Sequence, residues 1–129
     1  MPGLFVPVGA GYQGTPFAES QDAGAAAANV ITLAAVPGRR YAITQIIASA
    51  AQIAVVAGIV TVTNIGNVLG TAETLGFRFV ETVAAGALLN ISFEPVPLFA
   101  VAENTAVVVT IPAIGAGAAT SLTVVGALI

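Results

Sequence analysis

The side chains of this chain that could perform acid–base or metal chemistry are few and widely separated. Histidine, cysteine and lysine do not occur, and the acidic residues are Glu19, Asp22, Glu73, Glu81, Glu94 and Glu103. Without histidine or lysine, a serine or threonine hydroxyl lacks the usual base that would make it a nucleophile. The acids do not follow the spacing of a calcium-binding loop. The sequence therefore predicts a protein that is not an enzyme and has no metal or cofactor site.

Phosphate binding is equally unexpected. The glycine pairs at 9–11 and 115–117 lack the longer glycine pattern that cradles a phosphate between a strand and a helix. The positive residues are only three, Arg39, Arg40 and Arg78, and three arginines cannot neutralise many phosphates of a nucleic acid. We therefore expect no nucleic-acid partner.

Charge is scarce throughout the chain. Charged residues make up 7% of the 129 residues and hydrophobic residues 57%, with a net charge of −3, whereas ordinary soluble domains are roughly 25% charged. Monomeric proteins usually depend on interspersed charges for solubility. This composition favours a surface covered by identical subunits or by a larger assembly. The alternative is a weakly charged monomer coated in Ala, Gly and Thr.

One window, residues 43–62, has about the length that spans a bilayer, and no charge occurs between residues 41 and 72. It nevertheless contains several polar residues and is followed by a polar turn at 64–67 instead of anchoring aromatics or lysines. We expect no membrane span. The first residues also lack the basic and apolar regions of a signal peptide.

Two β-rich runs, 105–113 and 120–129, end the chain and are separated by a short glycine-containing loop. This arrangement predicts a β-hairpin. The side chains predicted to share a face are Val107, Val109 and Ile111 in the first run and Leu122, Val124 and Leu128 in the second.

Similar runs repeat from residue 26 onwards, with turn signals such as Pro37-Gly38 every 8–12 residues. The pattern predicts an all-β domain over residues 26–129, a jelly roll or β-sandwich of about eight antiparallel strands. The clearest strand is 87–94, with Leu89, Ile91 and Phe93 inward. The least clear is 39–51, whose isoleucine spacing also fits a helix; its strand-like neighbours favour a strand.

Residues 1–25 differ from the rest because they mix Pro and Gly with isolated apolar side chains. They predict an extended N-terminal arm that docks on a partner; the alternative is a flexible terminus with incidental aromatics. Tyr12 and Phe17 are the best candidate anchors, since aromatics dominate interface energetics. Arg39 and Arg40 could hold a carboxylate of a neighbouring subunit or simply begin a solvated strand. The candidate interface residues are Leu4, Phe5, Val6, Tyr12, Phe17, Arg39 and Arg40.

Three stretches resemble the small jelly-roll decoration (cement) proteins of tailed-phage capsids. The stretch 37–44, Pro-Gly-Arg-Arg-Tyr-Ala-Ile-Thr, is similar to that family's glycine–basic–x–x–isoleucine–Thr strand opening. Leu-Asn-Ile-Ser-Phe-Glu-Pro at 89–95 resembles its Phe-x-Pro step, and the third stretch is the pair of closing runs. The resemblance covers about residues 31–129. It departs at Ala127, where an aromatic residue commonly follows the late glycine.

The resemblance implies a structural virion protein with no enzymatic activity. Such a protein forms a homotrimer on the capsid exterior, bridges neighbouring major capsid proteins and holds the shell against the pressure of packaged DNA. Its partners would be the major capsid protein and its own copies. The alternative function is a receptor- or glycan-binding jelly-roll module of a virion fibre, which would need exposed aromatics beside polar loops.

Overall fold

The computed structural model describes residues 14–24, 27–50, 58–66, 71–79, 86–114 and 119–129. These residues contain β-strands and no helix, which confirms the all-β prediction. The strands are β1 Thr15–Ala23, β2 Asn29–Leu33, β3 Tyr41–Ala50, β4 Gly58–Ile65, β5 Glu73–Phe79, β6 Gly86–Ser92, β7 Leu98–Phe99, β8 Val107–Ile111 and β9 Thr120–Leu128.

The strands form two antiparallel sheets that pack as a sandwich. Sheet A has the order β1-β9-β3-β6, with β7 also paired to β3, and sheet B has the order β2-β8-β4-β5. The pairs are nested along the chain: β1 with β9, β2 with β8, β3 with β6 and β4 with β5. A long antiparallel ribbon with its tip at β4–β5, wound into two sheets, has this order. The fold is therefore a jelly roll, as predicted.

The predicted hairpin between the two closing runs is wrong. β8 pairs with β2 and β4 in sheet B, whereas β9 pairs with β1 and β3 in sheet A. The predicted inward side chains of both runs are nevertheless buried, apart from the partly buried Leu128, because the two strands face each other across the sandwich. Two β-rich runs joined by a glycine loop look alike in sequence whether the chain turns within a sheet or crosses between sheets.

The predicted arm extends too far into the domain. Of residues 1–25, the structure describes 14–24, and Thr15–Ala23 is β1, paired with β9 along its whole length from Thr15–Leu128 to Ala23–Thr120. β1 is an edge strand, where a proline such as Pro16 is tolerated. It directs one large apolar residue, Phe17, at the core, so its sequence lacks the alternation that marks the other strands.

The core between the sheets is almost entirely aliphatic. Alternate residues of β2, β4, β8 and β9 point inward, as their sequence patterns predict. The fully buried large side chains include Ile43, Ile46, Ile65, Ile111, Ile114, Leu122, Val60, Val62, Val107, Val109 and Val124. Packing of β-branched side chains from two facing sheets gives the dense interior typical of sandwiches.

A β-bulge explains why the 39–51 run was ambiguous. In the pairing of β3 with β9, Ile43 lies opposite Gly126 and Gln45 opposite Val125, so Thr44 is an extra residue. Before the bulge the buried large residues are Tyr41 and Ile43; after it they are the even-numbered ones, beginning with Ile46. The change of parity placed isoleucines at helix-like spacing in a run that is a strand, as predicted.

Beside this bulge the backbones of β9 and β3 approach closely at Gly126. A Cβ atom added to Gly126 would overlap the Ala42 carbonyl oxygen. It would also lie 3.0 Å from the Ile43 Cα. Both obstacles are backbone atoms of a buried central strand, so they cannot move aside as a flexible side chain would. Gly126 is therefore required for β9 to sit between β1 and β3.

We predict that Gly126→Ala destabilises the protein by about 1–3 kcal/mol or more, the usual cost of overpacking a tight interior. The matched control is Gly24→Ala, since a Cβ at Gly24 meets no atom within 4 Å and should change stability by less than about 0.5 kcal/mol. Urea unfolding at one fixed protein concentration measures both. Equal midpoints for the two variants would show that the close approach does not constrain the fold.

Candidate interaction surface

Phe17, one of the predicted anchors, packs on its own chain. Its ring meets the Tyr41 ring edge to face, with centroids 5.5 Å apart and planes at 80°. The side chain is half-buried against the core. The four other apolar candidates, Leu4, Phe5, Val6 and Tyr12, lie outside the described residues.

Arg39 ties together the ends of β1 and β9. Its Nη2 donates to the Leu128 carbonyl at 2.5 Å and to the Thr15 hydroxyl at 3.2 Å. The Pro37-Gly38 turn that delivers it has Gly38 at φ 71° and an Arg39 N–H to Val36 carbonyl bond of 3.1 Å. These are features of a type II turn, in which glycine supplies the positive φ.

Arg40 holds the C-terminal residue and the loop that follows β7. Its Nε donates to the Ala100 carbonyl at 2.6 Å, and its guanidinium lies over the Phe99 ring, 5.2 Å from the centroid. The backbones of Arg40 and Ile129 exchange two hydrogen bonds of 2.8 Å. The predicted partners of the two arginines were a carboxylate or solvent, whereas the observed acceptors are carbonyl oxygens of the same chain.

The outer face of sheet B consists mainly of uncharged, β-branched residues, with Arg78 at its β5 edge as the charged side chain among the described residues. One row across the sheet is Val30, Thr110, Thr61 and Gly76, each paired with the next. Val30 is 44% exposed and Ile59, near this row on β4, is 42% exposed. The sequence carries a signal of this face, because β2 and β4 have Val, Ile or Thr at both odd and even positions, which is typical of strands covered on both faces.

The outer face of sheet A is more polar, and its polar groups are paired with each other. The Ser20 and Thr123 hydroxyls lie 2.9 Å apart, the Ser121 hydroxyl donates to Asp22 at 2.6 Å, and the Gln45 amide donates to Asn90 at 3.0 Å. On sheet B the Thr63 hydroxyl accepts a hydrogen bond of 3.1 Å from the Val108 N–H. The hydroxyls of four other threonines of this sheet make no hydrogen bond to the described residues: Thr32, Thr61, Thr74 and Thr110.

Charges are confined to the edges and loops. Of the eight charged residues that the structure describes, four lie on the edge strands β1 and β5 and four lie in loops. The central strands β9, β3, β8 and β4 carry none. The charged residues on the edge strands are Glu19, Asp22, Glu73 and Arg78, and those in loops are Arg39, Arg40, Glu94 and Glu103. Both broad faces of the sandwich are therefore close to neutral.

A cleft of about 360 Å³ opens between the edge strands β1 and β2. Its lining residues are Thr15, Phe17, Glu19, Thr32, Leu33, Ala34, Tyr41 and Leu128. The Tyr41 hydroxyl at its base donates to the Ala34 carbonyl at 2.7 Å. Burial raises the pKa of Tyr41, and the negative charge of Glu19 raises it further.

Within the described part of the chain, no group of three or more acidic, histidine or cysteine side chains is placed to hold a metal ion. The same residues include no helix long and apolar enough to cross a membrane. That the protein is not an enzyme stays a prediction.

Comparison with known proteins identifies no family. No protein-family model matches the chain, and no curated protein matches it. Among solved structures, it is similar to a chain in the cryo-EM structure of the VLP of extra small virus from the giant freshwater prawn Macrobrachium rosenbergii. The two are 10% identical, the match covers 89% of this chain and 80% of that one, and the TM-score is 0.30. At that TM-score the similarity carries no argument about the role of this chain.

The raised pKa of Tyr41 predicts a loss of stability in alkali. Because the folded-state pKa exceeds the unfolded value of about 10, folding should weaken as the pH rises above about 10. Tyr41→Phe should remove this dependence, while losing about 1 kcal/mol at neutral pH with the hydrogen bond to Ala34. Urea unfolding at about pH 8 and about pH 11 measures both effects.

Glu19→Gln is the control for this prediction, since desolvation is the larger cause of the shift and should persist in that variant. Lysine ionisation does not interfere, because the chain has none. An identical alkaline loss in wild type and Tyr41→Phe would contradict the assignment to Tyr41.

Proposed function

We propose that this chain is a structural virion protein, a decoration protein that binds the outer surface of a phage head and bridges its major capsid proteins. The observation that carries the proposal is the neutrality of the central strands on both broad faces. The jelly-roll strand order and the sequence resemblance to decoration proteins support it. The proposed partners are the major capsid protein and two further copies of this chain.

Neutral β-branched faces suit docking because little charge must be desolvated. Burial of apolar surface contributes roughly 25 cal/mol per Å² before the costs of association are subtracted. On the outer face of sheet B, threonine hydroxyls without partners among the described residues can bond to a docked surface, so contact need not leave them unsatisfied.

The size of this face favours more than one neighbour. Its four strands are five to eight residues long and about 4.8 Å apart, so they cover roughly 400 Å², whereas a stable interface takes about 800 Å² from each partner. A single face therefore supplies about half of what a stable pair needs. A chain held by copies of itself and by a shell would reach the required area through several such contacts, as in a closed trimer on a capsid.

We expect light scattering of the purified protein to give the mass of three 12.7 kDa chains and the protein to co-sediment with empty capsids of its phage. A trimer that does not bind capsids would contradict the decoration role but would still agree with an interface between copies of this chain. A monomer that also fails to bind capsids would contradict the proposal as a whole.

Substitution on the outer face of sheet B tests whether this face mediates trimer formation or capsid binding. Ile59→Lys should abolish trimer formation or capsid binding, because a desolvated lysine without a partner is costly at an interface. The matched control is Val96→Lys, since Val96 is 63% exposed but lies in the loop before β7. Circular dichroism should show both variants folded. Equal behaviour of the two variants, whether both bind or both fail, would exclude a specific role for the face.

A further inference from the structure

Within the described part of the chain, Arg78 is the one arginine whose side chain has no partner. Arg39 and Arg40 donate to carbonyl oxygens of their own chain. The Arg78 side chain is exposed and makes no hydrogen bond or ion pair with the described residues. Since a guanidinium carries five N–H donors in a rigid fork, Arg78 is equipped to bind a carboxylate of another molecule.

Arg78 lies beside an exposed isoleucine on the outer face of sheet B. Ile59 of β4 and Arg78 of β5 are register partners, so their side chains are neighbours on one face of the sheet. Ile59 is 42% exposed, and its Cγ2 would lie 2.7 Å from a Cβ added to Gly76. Because Gly76 has no side chain, Ile59 can lean over β5 toward Arg78. The two residues form an aliphatic surface with one positive charge, here called the Ile59/Arg78 patch.

The cleft between β1 and β2 has the complementary chemistry. Glu19 is the one charged residue of its lining, and its carboxylate is exposed and makes no hydrogen bond or ion pair with the described residues. Asp22 of the same strand, by contrast, accepts a hydrogen bond from Ser121. A carboxylate beside aromatic rings suits a guanidinium, which can form an ion pair and also stack on a ring. The apolar lining residues are Phe17, Leu33, Tyr41 and Leu128.

One chain cannot bring these two surfaces together by itself. β2 and β5 are the opposite edges of sheet B, with β8 and β4 between them, so they lie three strand spacings or about 14 Å apart. The patch faces outward from sheet B, whereas the cleft opens at the β1/β2 flank. Two copies of the chain can join them, since each copy carries both surfaces and the surfaces share no residue.

A ring of three requires two unlike surfaces of this kind. In a two-fold dimer the same patch meets itself, whereas in a three-fold ring each copy offers one surface and receives a different one. The patch and the cleft are unlike in charge and separate in space, as such a ring demands. The inference that follows therefore rests on the trimer of the proposed function and names the contact within it.

We propose that the Ile59/Arg78 patch of one copy docks in the β1/β2 cleft of the next copy. The Arg78 guanidinium binds the Glu19 carboxylate, and Ile59 packs on the apolar lining. The cleft volume of about 360 Å³ is within the range of about 300–1,000 Å³ in which proteins bind compact groups. Charge complementarity selects a second copy as the occupant, because the chain supplies both the free cation and the free carboxylate.

Charge reversal tests the contact. Arg78→Glu and Glu19→Arg each bring like charges together, so each should raise the protein concentration at which half of the chains are trimeric by at least about tenfold. The double variant has opposite charges again and the net charge of the wild type, and it should return to within about threefold of the wild-type value. Sedimentation equilibrium over a range of protein concentrations measures all three.

Asp22→Arg is the matched control for Glu19→Arg. It makes the same change of net charge on the same strand but on the outer face of sheet A, and it should stay within about threefold of wild type. All the substituted positions are exposed, so circular dichroism should show every variant folded. Equal weakening by Asp22→Arg and Glu19→Arg would show that net charge, and not this contact, controls assembly.

Mixing the two single variants tests the three-fold order. A pair made of one Arg78→Glu chain and one Glu19→Arg chain has opposite charges at both of its contacts, so a two-fold dimer would recover fully. A ring of three always contains two copies of one variant and hence one contact between like charges. We expect the mixture to assemble less tightly than the double variant, and a dimer as stable as the wild-type assembly would contradict the inference.

The remaining outcomes separate this inference from the proposed function. Wild-type trimers that withstand both single reversals, or a double variant as weak as the single ones, would overturn the contact and leave the trimer in place. A wild-type chain that is monomeric at every concentration would contradict both. Trimers that follow the expected charge pattern but do not bind capsids would support the contact and contradict the decoration role alone.

Discussion

The fold depends on the last strand entering between the first and third strands. β9 can take this place because Gly126 has no side chain to separate it from the Ala42 carbonyl, and the β3 bulge at Thr44 adjusts the register immediately beside it. Once β9 is in place, both the β1 edge and the β3 centre of sheet A have their partner. A ribbon that pairs its first strand with its last gains most of its contacts only at closure, so the local preferences of each strand are worth little alone.

The ionic groups near this junction serve the closure of the fold. Arg39 and Arg40 donate to the carbonyls of Leu128 and Ala100, and Arg40 exchanges backbone bonds with Ile129. Charge-assisted hydrogen bonds of this kind are stronger than neutral ones. Two of only three positive residues are thereby used to fix the end of the sandwich where the chain enters and leaves.

The sequence predicted the strands and their inward faces because alternation is a local property. Val107, Val109 and Ile111 are buried wherever β8 is placed, so their burial could be predicted without knowing its partner. The partner could not, since Leu122 and Val124 present the same pattern whether β9 lies beside β8 or across from it. β1 could not be predicted as a strand, because it is an edge strand whose single large apolar residue facing the core is Phe17. The cleft was likewise unpredictable, because its lining residues come from four strands, β1, β2, β3 and β9, that lie far apart in the chain.

The placement of the remaining charges bears on how the molecule associates. Exposed edge strands can pair with other chains, and charged side chains on an edge discourage this. Each flank has one such strand: β1 carries Glu19 and Asp22 beside uncharged β2, and β5 carries Glu73 and Arg78 beside uncharged β6. Strand addition is thus disfavoured at the β1 and β5 edges, whereas the broad faces present little charge to oppose contact. Association through the broad faces, as we propose, would give assemblies of defined size instead of open-ended sheets.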